Sequence, residues 1–147
     1  MSVSITNGPL IRCVGAVVHD PRGRLLLVKR ANEPGRGRWS VPGGKVEPGE
    51  TDRSAVRREL SEETGLSVIV GRWLGRVLRP APTGTFDIHD YACRADDVVL
   101  SPGDDAADAM WADAASFATL DAEHRLTDGL AATLRGWGQL PGPSARS

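Results

Sequence analysis

The sequence predicts an α/β fold: one domain, with a mixed β-sheet lying between helices. Three observations lead there. Strand-like and helix-like segments follow one another in the order β-β-α-β-β-β-α-α, which a mixed sheet flanked by helices accommodates. A chain of 147 residues is long enough for one full core. Its 40% apolar and 25% charged content is ordinary for a soluble globular domain. The domain is expected over residues 1–137. The small, polar, proline-rich run GQLPGPSARS, residues 138–147, is expected to be a disordered tail.

The elements can be justified in order. Residues 13–19 (CVGAVVH) and 24–29 (RLLLVK) are β-rich, and the turn DPRG between them predicts a hairpin. A loop over residues 31–38 ends at Trp39-Ser40-Val41, followed by Pro42-Gly43-Gly44. Pro48-Gly49 is a turn signal and Thr51 a helix N-cap. Asp52 puts negative charge in the first turn, where the helix dipole favours it. Good helix formers continue to Thr64, and Gly65 is the left-handed stop. Ala55, Val56 and Leu60 share an inward face of this helix. Residues 67–78 read as one long strand or two short ones, with a bulge or bend at Gly71 and Gly75. Residues 86–94 (FDIHDYACR) alternate as a half-buried strand, and residues 98–100 are a candidate extension of the sheet. An acidic loop over 102–108 precedes a short strand at Met110-Trp111. Helices are expected over 114–120 and 126–134, the second running on toward Trp137.

Composition excludes some functions. A formal net charge of −1 predicts no nonspecific attraction to nucleic acid or membrane. Cys13 and Cys93 lack metal-ligand spacing and lie in apolar runs, so they are expected to be buried free thiols. The N-terminal MSVSITNGPL has no basic segment ahead of an apolar run, and no run approaches membrane-spanning length. A cytoplasmic location is the expectation.

The chemistry concentrates between Gly44 and Leu66, in GKVEPGETDRSAVRRELSEETGL. Glu59, Glu62 and Glu63 are spaced i, i+3, i+4 and project together from the predicted helix. Three like charges destabilise an isolated helix, and Arg58 offsets only part of that through Glu62. A divalent cation would remove the repulsion, and carboxylate oxygens suit hard Mg²⁺ or Mn²⁺. Seen alone, RELSEE would read as a solvated acidic helix face. Gly44, Glu50, Arg58, Glu59, Leu60, Glu62, Glu63, Gly65 and Leu66 together fit G-x5-E-x7-R-E-U-x-E-E-x-G-U, where U is a bulky aliphatic. That pattern is the Nudix box, and the chain resembles a Nudix hydrolase over residues 12–134.

The resemblance implies an α/β/α sandwich and hydrolysis of a pyrophosphate linkage in a nucleoside diphosphate joined to another group X. It implies Mg²⁺ or Mn²⁺ as cofactor and a small nucleotide as the binding partner. Glu59 and Glu63 match direct metal ligands, and Glu62 matches a further ligand or a residue orienting metal-bound water. The carbonyl of Gly43 matches a main-chain ligand, where a glycine lets the backbone approach the ion closely, and Gly44 is a supporting residue. Arg58 matches the residue that positions the first glutamate. Glu50 matches a support of the loop–helix arrangement, and also reads as a cap of the loop. The general base is either a box glutamate or a carboxylate in SPGDDAADAMW, where Asp104, Asp105 and Asp108 are candidates for base or extra ligand. Those aspartates also read as a solvated turn and a helix N-cap. Arg36, Arg38 and Lys45 flank the box and could meet phosphates or simply be solvated. His89, His124, Trp39, Trp73 and Trp111 read first as packing or surface residues.

The identity of X rests on weaker segments. Pro82 stands sixteen residues past the box end, where ADP-ribose pyrophosphatases tend to carry proline. Asp90-Tyr91, Asp104-Asp105-Ala106 and Trp111 resemble segments of the small ADP-ribose pyrophosphatases, although Asp87 and His89 are more polar than is usual in that strand. ADP-ribose is therefore the expected substrate, and the resemblance to that branch allows a homodimer. Oxidised nucleoside triphosphates are the alternative, because Pro42-Gly43-Gly44-Lys45 is equally at home in those enzymes. A non-catalytic nucleotide sensor is the alternative of another class, and retention of all three box glutamates argues against it.

Overall fold

The structure is a computed structural model that describes residues 8–33, 35–95, 97–101, 103 and 106–142. In chain order its elements are β1 (Leu10–His19), β2 (Leu25–Arg30), β3 (Trp39–Ser40), β4 (Gly43–Lys45), α1 (Asp52–Thr64), β5 (Ile69–Ala81), β6 (Gly84–Arg94), β7 (Ala106–Ala112), α2 (Ala114–Ala122) and α3 (Leu130–Gly136). The strands form one mixed sheet in the order β3-β2-β1-β6-β5, with β4 beside β1 and β7 beside β2.

β1 is the organising strand. It runs parallel to β6 from Leu10↔Thr85 to His19↔Arg94. Its other edge is shared: β4 pairs with Cys13 to Gly15, and β2 meets it at His19↔Leu25. The expected hairpin is therefore present at its turn only. Past that turn β2 leaves β1 and pairs with β3 and β7.

Period-two alternation divides the core. Val14, Ala16 and Val18 face α1, packing against Ala55, Val56 and Leu60. Val17, Leu25 and Leu27 face the opposite layer, built from Phe117 and Leu120 of α2 with Leu130 and Leu134 of α3. Helices thus cover both faces of the sheet, the expected α/β/α sandwich. Cys13 and Cys93 are buried free thiols, and burial pushes them up to about 11 and about 12, which leaves them inert.

α1 has the boundaries its sequence signals require. Thr51 is extended, and its hydroxyl accepts the Ser54 N–H at 3.1 Å. Gly65 closes the helix at φ 75°, its N–H donating to Ser61 O. β5 carries register shifts between Val70 and Gly75, where bulges were expected.

Four expectations need correction. Residues 98–100 are not a strand: the Val98 carbonyl instead accepts the Trp111 indole N–H at 2.9 Å. The last strand begins at Ala106 rather than Met110, because β2 offers an edge that far. The last helix starts at Leu130 rather than Leu126, since Leu126 forms a bridge with Trp39 that backbone bonds to Arg125 O and from Thr127 N secure on both sides. Of the segment expected to fray, residues 138–142 lie on the body: His19 Nε2 is 3.0 Å from Gln139 O, and Gly142 N donates to Gly23 O. No helix among the described residues is long and apolar enough to cross a membrane.

Candidate active site

The loop before α1 and the helix itself form one bonded unit. Gly49 turns the chain at φ 84°, and Glu50 closes the loop by accepting the Glu47 N–H at 2.9 Å. Arg58 then fans across four groups. Its Nε and Nη2 meet the two Glu50 oxygens at 2.7 and 3.0 Å, and Nη2 also donates to Lys45 O at 2.9 Å. Its Nη1 lies 3.0 Å from Glu59 Oε2 and 3.2 Å from Glu62 Oε1. Glu50 is therefore both loop cap and Arg58 anchor, and the two roles left open by sequence coexist. The guanidinium pair holds the Glu50 carboxyl down to about 2.

The three box glutamates part company. Glu63 is 7% exposed and its Oε2 accepts the Gly43 N–H at 3.3 Å. Burial first, then a hydrogen bond and repulsion from Glu59, push Glu63 up to about 9. Burial beside the Glu59 carboxylate thus favours the protonated form of Glu63. Glu62, by contrast, is half exposed and turned toward Arg58.

Glycine makes the close packing possible. A Cβ on Gly44 would collide with the Glu59 carboxylate, and one on Gly43 would strike the Val14 carbonyl. Backbone bonds Ala16 N→Pro42 O and Val46 N→Arg12 O set the phase of the β1–β4 ladder. In that phase both polar groups of the Gly43 residue face away from β1, on the side where its N–H meets Glu63.

The other expected residues are more scattered. Asp104 and Asp105 lie outside the described residues. Their neighbour Gly103 donates to Glu63 O at 3.1 Å, which starts that loop at the end of α1. Asp108 is exposed on β7, registers with Lys29, and accepts the Ala109 N–H. Arg38 is tied to Asp128 at 2.7 Å and borders an open cavity of about 430 Å³ beside α3, which no box residue lines. Lys45 meets the site through its carbonyl, and Pro82 is exposed at the turn between β5 and β6. Trp39 is core, Trp73 is exposed and donates to His89 Nδ1, and His124 is exposed. Tyr91 is tied by its hydroxyl to Asp52 at 2.7 Å, joining β6 to the start of α1.

The sequence reading named Asp90 with Tyr91 as a segment bearing on the substrate, but not its burial. Asp90 is 7% exposed, and burial pushes it up to about 6 against the attraction of Arg79. The available signal was Gly15, an isolated glycine within a strand, which marks a close approach.

The family model described as "NUDIX domain" matches residues 9–130. The chain belongs to the Nudix family. This Nudix chain is 36% identical over 118 residues to the ADP-ribose pyrophosphatase of Methanocaldococcus jannaschii, covering 79% of this chain and 69% of that protein. It is 41% identical over 73 residues to the 8-oxo-(d)GTP phosphatase of Mycolicibacterium smegmatis, covering 50% of this chain but only 23% of that protein. The chain thus spans about a quarter of that relative's length. The MutT protein of Methanosarcina mazei superposes with a TM-score of 0.79 over 90% of this chain and 96% of that one, at 22% identity, a likeness of fold.

Proposed function

We propose that this Nudix protein is a divalent-metal-dependent hydrolase of the pyrophosphate linkage in nucleoside diphosphates joined to X. The carrying observation is the carboxyl pair of buried Glu63 and partly buried Glu59 set against the Gly43 peptide. The donor set is all oxygen, which suits Mg²⁺ or Mn²⁺. Among the described residues no three acidic, histidine or cysteine side chains form a ready cage. Glu59 and Glu63 would therefore hold the cation with the Gly43 carbonyl, and Glu62 would join by leaving Arg58. When bound, such a cation acidifies water and screens phosphate charge.

The chain's own residues do the rest. Arg58, anchored by Glu50, keeps Glu59 aimed at the Gly43–Gly44 peptide. In the overall reaction water adds to one phosphorus, the bridging P–O bond breaks, and its electron pair leaves with the other phosphate. The water proton passes to a carboxylate, either Glu62 or an aspartate among Asp104, Asp105 and Asp108.

ADP-ribose is the favoured substrate, giving AMP and ribose 5-phosphate. It is supported by the Methanocaldococcus relative, which aligns over most of both chains. The second reading, an oxidised guanine nucleotide, is supported by the Mycolicibacterium relative and by a 52% identity over 56 residues to a putative 8-oxo-dGTP diphosphatase 2 of Mycobacterium tuberculosis. The test is a panel of ADP-ribose, NADH, diadenosine polyphosphates, CTP and 8-oxo-dGTP with Mg²⁺ and with Mn²⁺. Release of AMP from ADP-ribose, with triphosphates untouched, selects the first reading. No cleavage of any member overturns the hydrolase assignment.

A further inference from the structure

Four residues stand in one line across four strands: Gly43 registers with Gly15, Gly15 with Asp90, and Asp90 with Gly75. Three are glycine and the fourth is an acid. None of these glycines has a positive φ, so space rather than backbone freedom explains them. A Cβ on Gly15 would collide with Asp90 Oδ1, and one on Gly75 would stand 2.5 Å from the Trp137 ring. The Asp90 side chain therefore lies over Gly15, reaching back toward β4. The indole of Trp137 covers the next place in the line.

Asp90 differs from the other buried acids among the described residues. Asp20 accepts from Arg22 N, Arg24 N and the Arg24 side chain. Asp87 is held by Arg76 with His89 beside it, and Glu63 by Gly43 N and Glu59. Among the described residues the Asp90 carboxylate has no hydrogen bond or ion pair, and Arg79 acts on it only through longer-range attraction. A buried carboxylate without partners is strongly disfavoured, and such groups concentrate where a ligand completes them.

Its position fits that use. Neighbouring strands lie about 4.8 Å apart, so Asp90 sits about 10 Å from Gly43 along the line. Gly43 N–H holds Glu63, so Asp90 lies two strand spacings along the sheet from the Gly43–Glu63 contact. On the hydrolase reading above, we propose that Asp90 is a specificity-determining residue that receives two adjacent N–H or O–H donors of the group carried by the pyrophosphate. A ribose cis-diol presents such a pair, and so does the imino-amino edge of a guanine-type base. The Watson–Crick edge of adenine offers one donor and one acceptor, which does not match an ionised carboxylate. The Trp137 indole alongside offers a flat apolar neighbour to the same group.

The experiment compares wild type with Asp90→Asn, checking fold by circular dichroism. Calorimetry measures binding of AMP and GMP, independently of turnover. Kinetics compare ADP-ribose with analogues lacking one ribose hydroxyl, and 8-oxo-dGTP with the analogue lacking the 2-amino group. The expected result is a roughly 10- to 100-fold loss of binding and of kcat/KM in the variant, with no further loss when the substrate donor is also deleted. The substrate series in which wild type shows the loss identifies the donors as ribose hydroxyls or base N–H groups. Equal binding by wild type and variant, or wild type indifferent to both deletions, overturns the proposal. If Asp90→Asn fails to fold, Asp90→Ser and the deletion series on wild type give the same decision. A wild type that binds but cleaves nothing overturns the hydrolase reading, and the binding ratio still decides the role of Asp90.

Discussion

Arg58 grips Glu50 with two parallel hydrogen bonds, Nε to Oε2 at 2.7 Å and Nη2 to Oε1 at 3.0 Å, and leaves Nη1 for Glu59 and Glu62. The bidentate pair sets where the guanidinium sits and hence where Glu59 points. It joins the loop to the helix without touching the reacting groups itself.

Glu50→Gln is expected to weaken this clamp in a pH-dependent way. Glu50 titrates at about 2 in the fold, against about 4.5 unfolded. Its ionised form therefore stabilises the protein fully above the unfolded value, and that contribution is lost as pH falls through the folded one. Thermal melts should show wild type more stable than Glu50→Gln at pH 7, with the gap closing toward pH 2. A gap that does not change with pH would contradict the clamp.

Glu63→Gln is expected to abolish turnover and leave the fold intact. Losing a direct ligand should exceed the roughly 10–100-fold cost of losing a group behind one. Relief of the buried repulsion with Glu59 should hold or raise Tm at neutral pH. Mg²⁺ should raise the Tm of wild type and not of the variant, by mass action on the folded state. Normal hydrolysis by Glu63→Gln would sink the metal assignment.

The two loop glycines should fail differently. At Gly44 an added Cβ meets only the end of the Glu59 side chain, which can swing aside, so Gly44→Ala should lose activity with little loss of stability. At Gly43 the obstacle is the backbone of Val14 and Gly15, so Gly43→Ala should lose about 1–3 kcal/mol of stability as well. Urea midpoints alongside kcat separate the two. Equal stability losses would mean the loop is held less tightly than its bonds indicate.

Asp90→Asn should reveal what the buried acid costs the fold. Its carboxyl is raised to about 6 from 3.8, so the native state holds its proton more tightly than the unfolded chain. The penalty is absent below the unfolded value, grows as pH rises, and is complete above about 6. The shift corresponds to ~3 kcal/mol. The Tm advantage of Asp90→Asn should therefore widen between pH 4 and pH 7; a constant difference would contradict the burial argument.

Much of the site was legible because its signals are local. Pro48-Gly49, Thr51 and Gly65 mark the boundaries of α1 through bonds that span only a few residues. The i, i+3, i+4 spacing brought the glutamates to one side of α1, yet it could not say that Glu63 is buried while Glu62 is half exposed. That difference comes from Gly43, twenty residues away along the chain. The start of α3 was missed for a similar reason: Leu126 is drawn into a bridge with Trp39 that nothing near Leu126 announces.

The sequence by itself determined the box: a capped helix, a glycine turn before it, and an acid-rich face with one arginine among the acids. It also determined that two cysteines would be buried and that sheet and helices would share one core. Only the tertiary structure decided that β1 runs parallel to β6, and so that Gly43, Gly15, Asp90 and Gly75 fall in line. Caps and periodicities are short-range and are written in neighbouring letters. Register between strands 75 residues apart (Gly15 and Asp90) is set by packing of the whole core, and there the unpaired carboxylate first becomes visible.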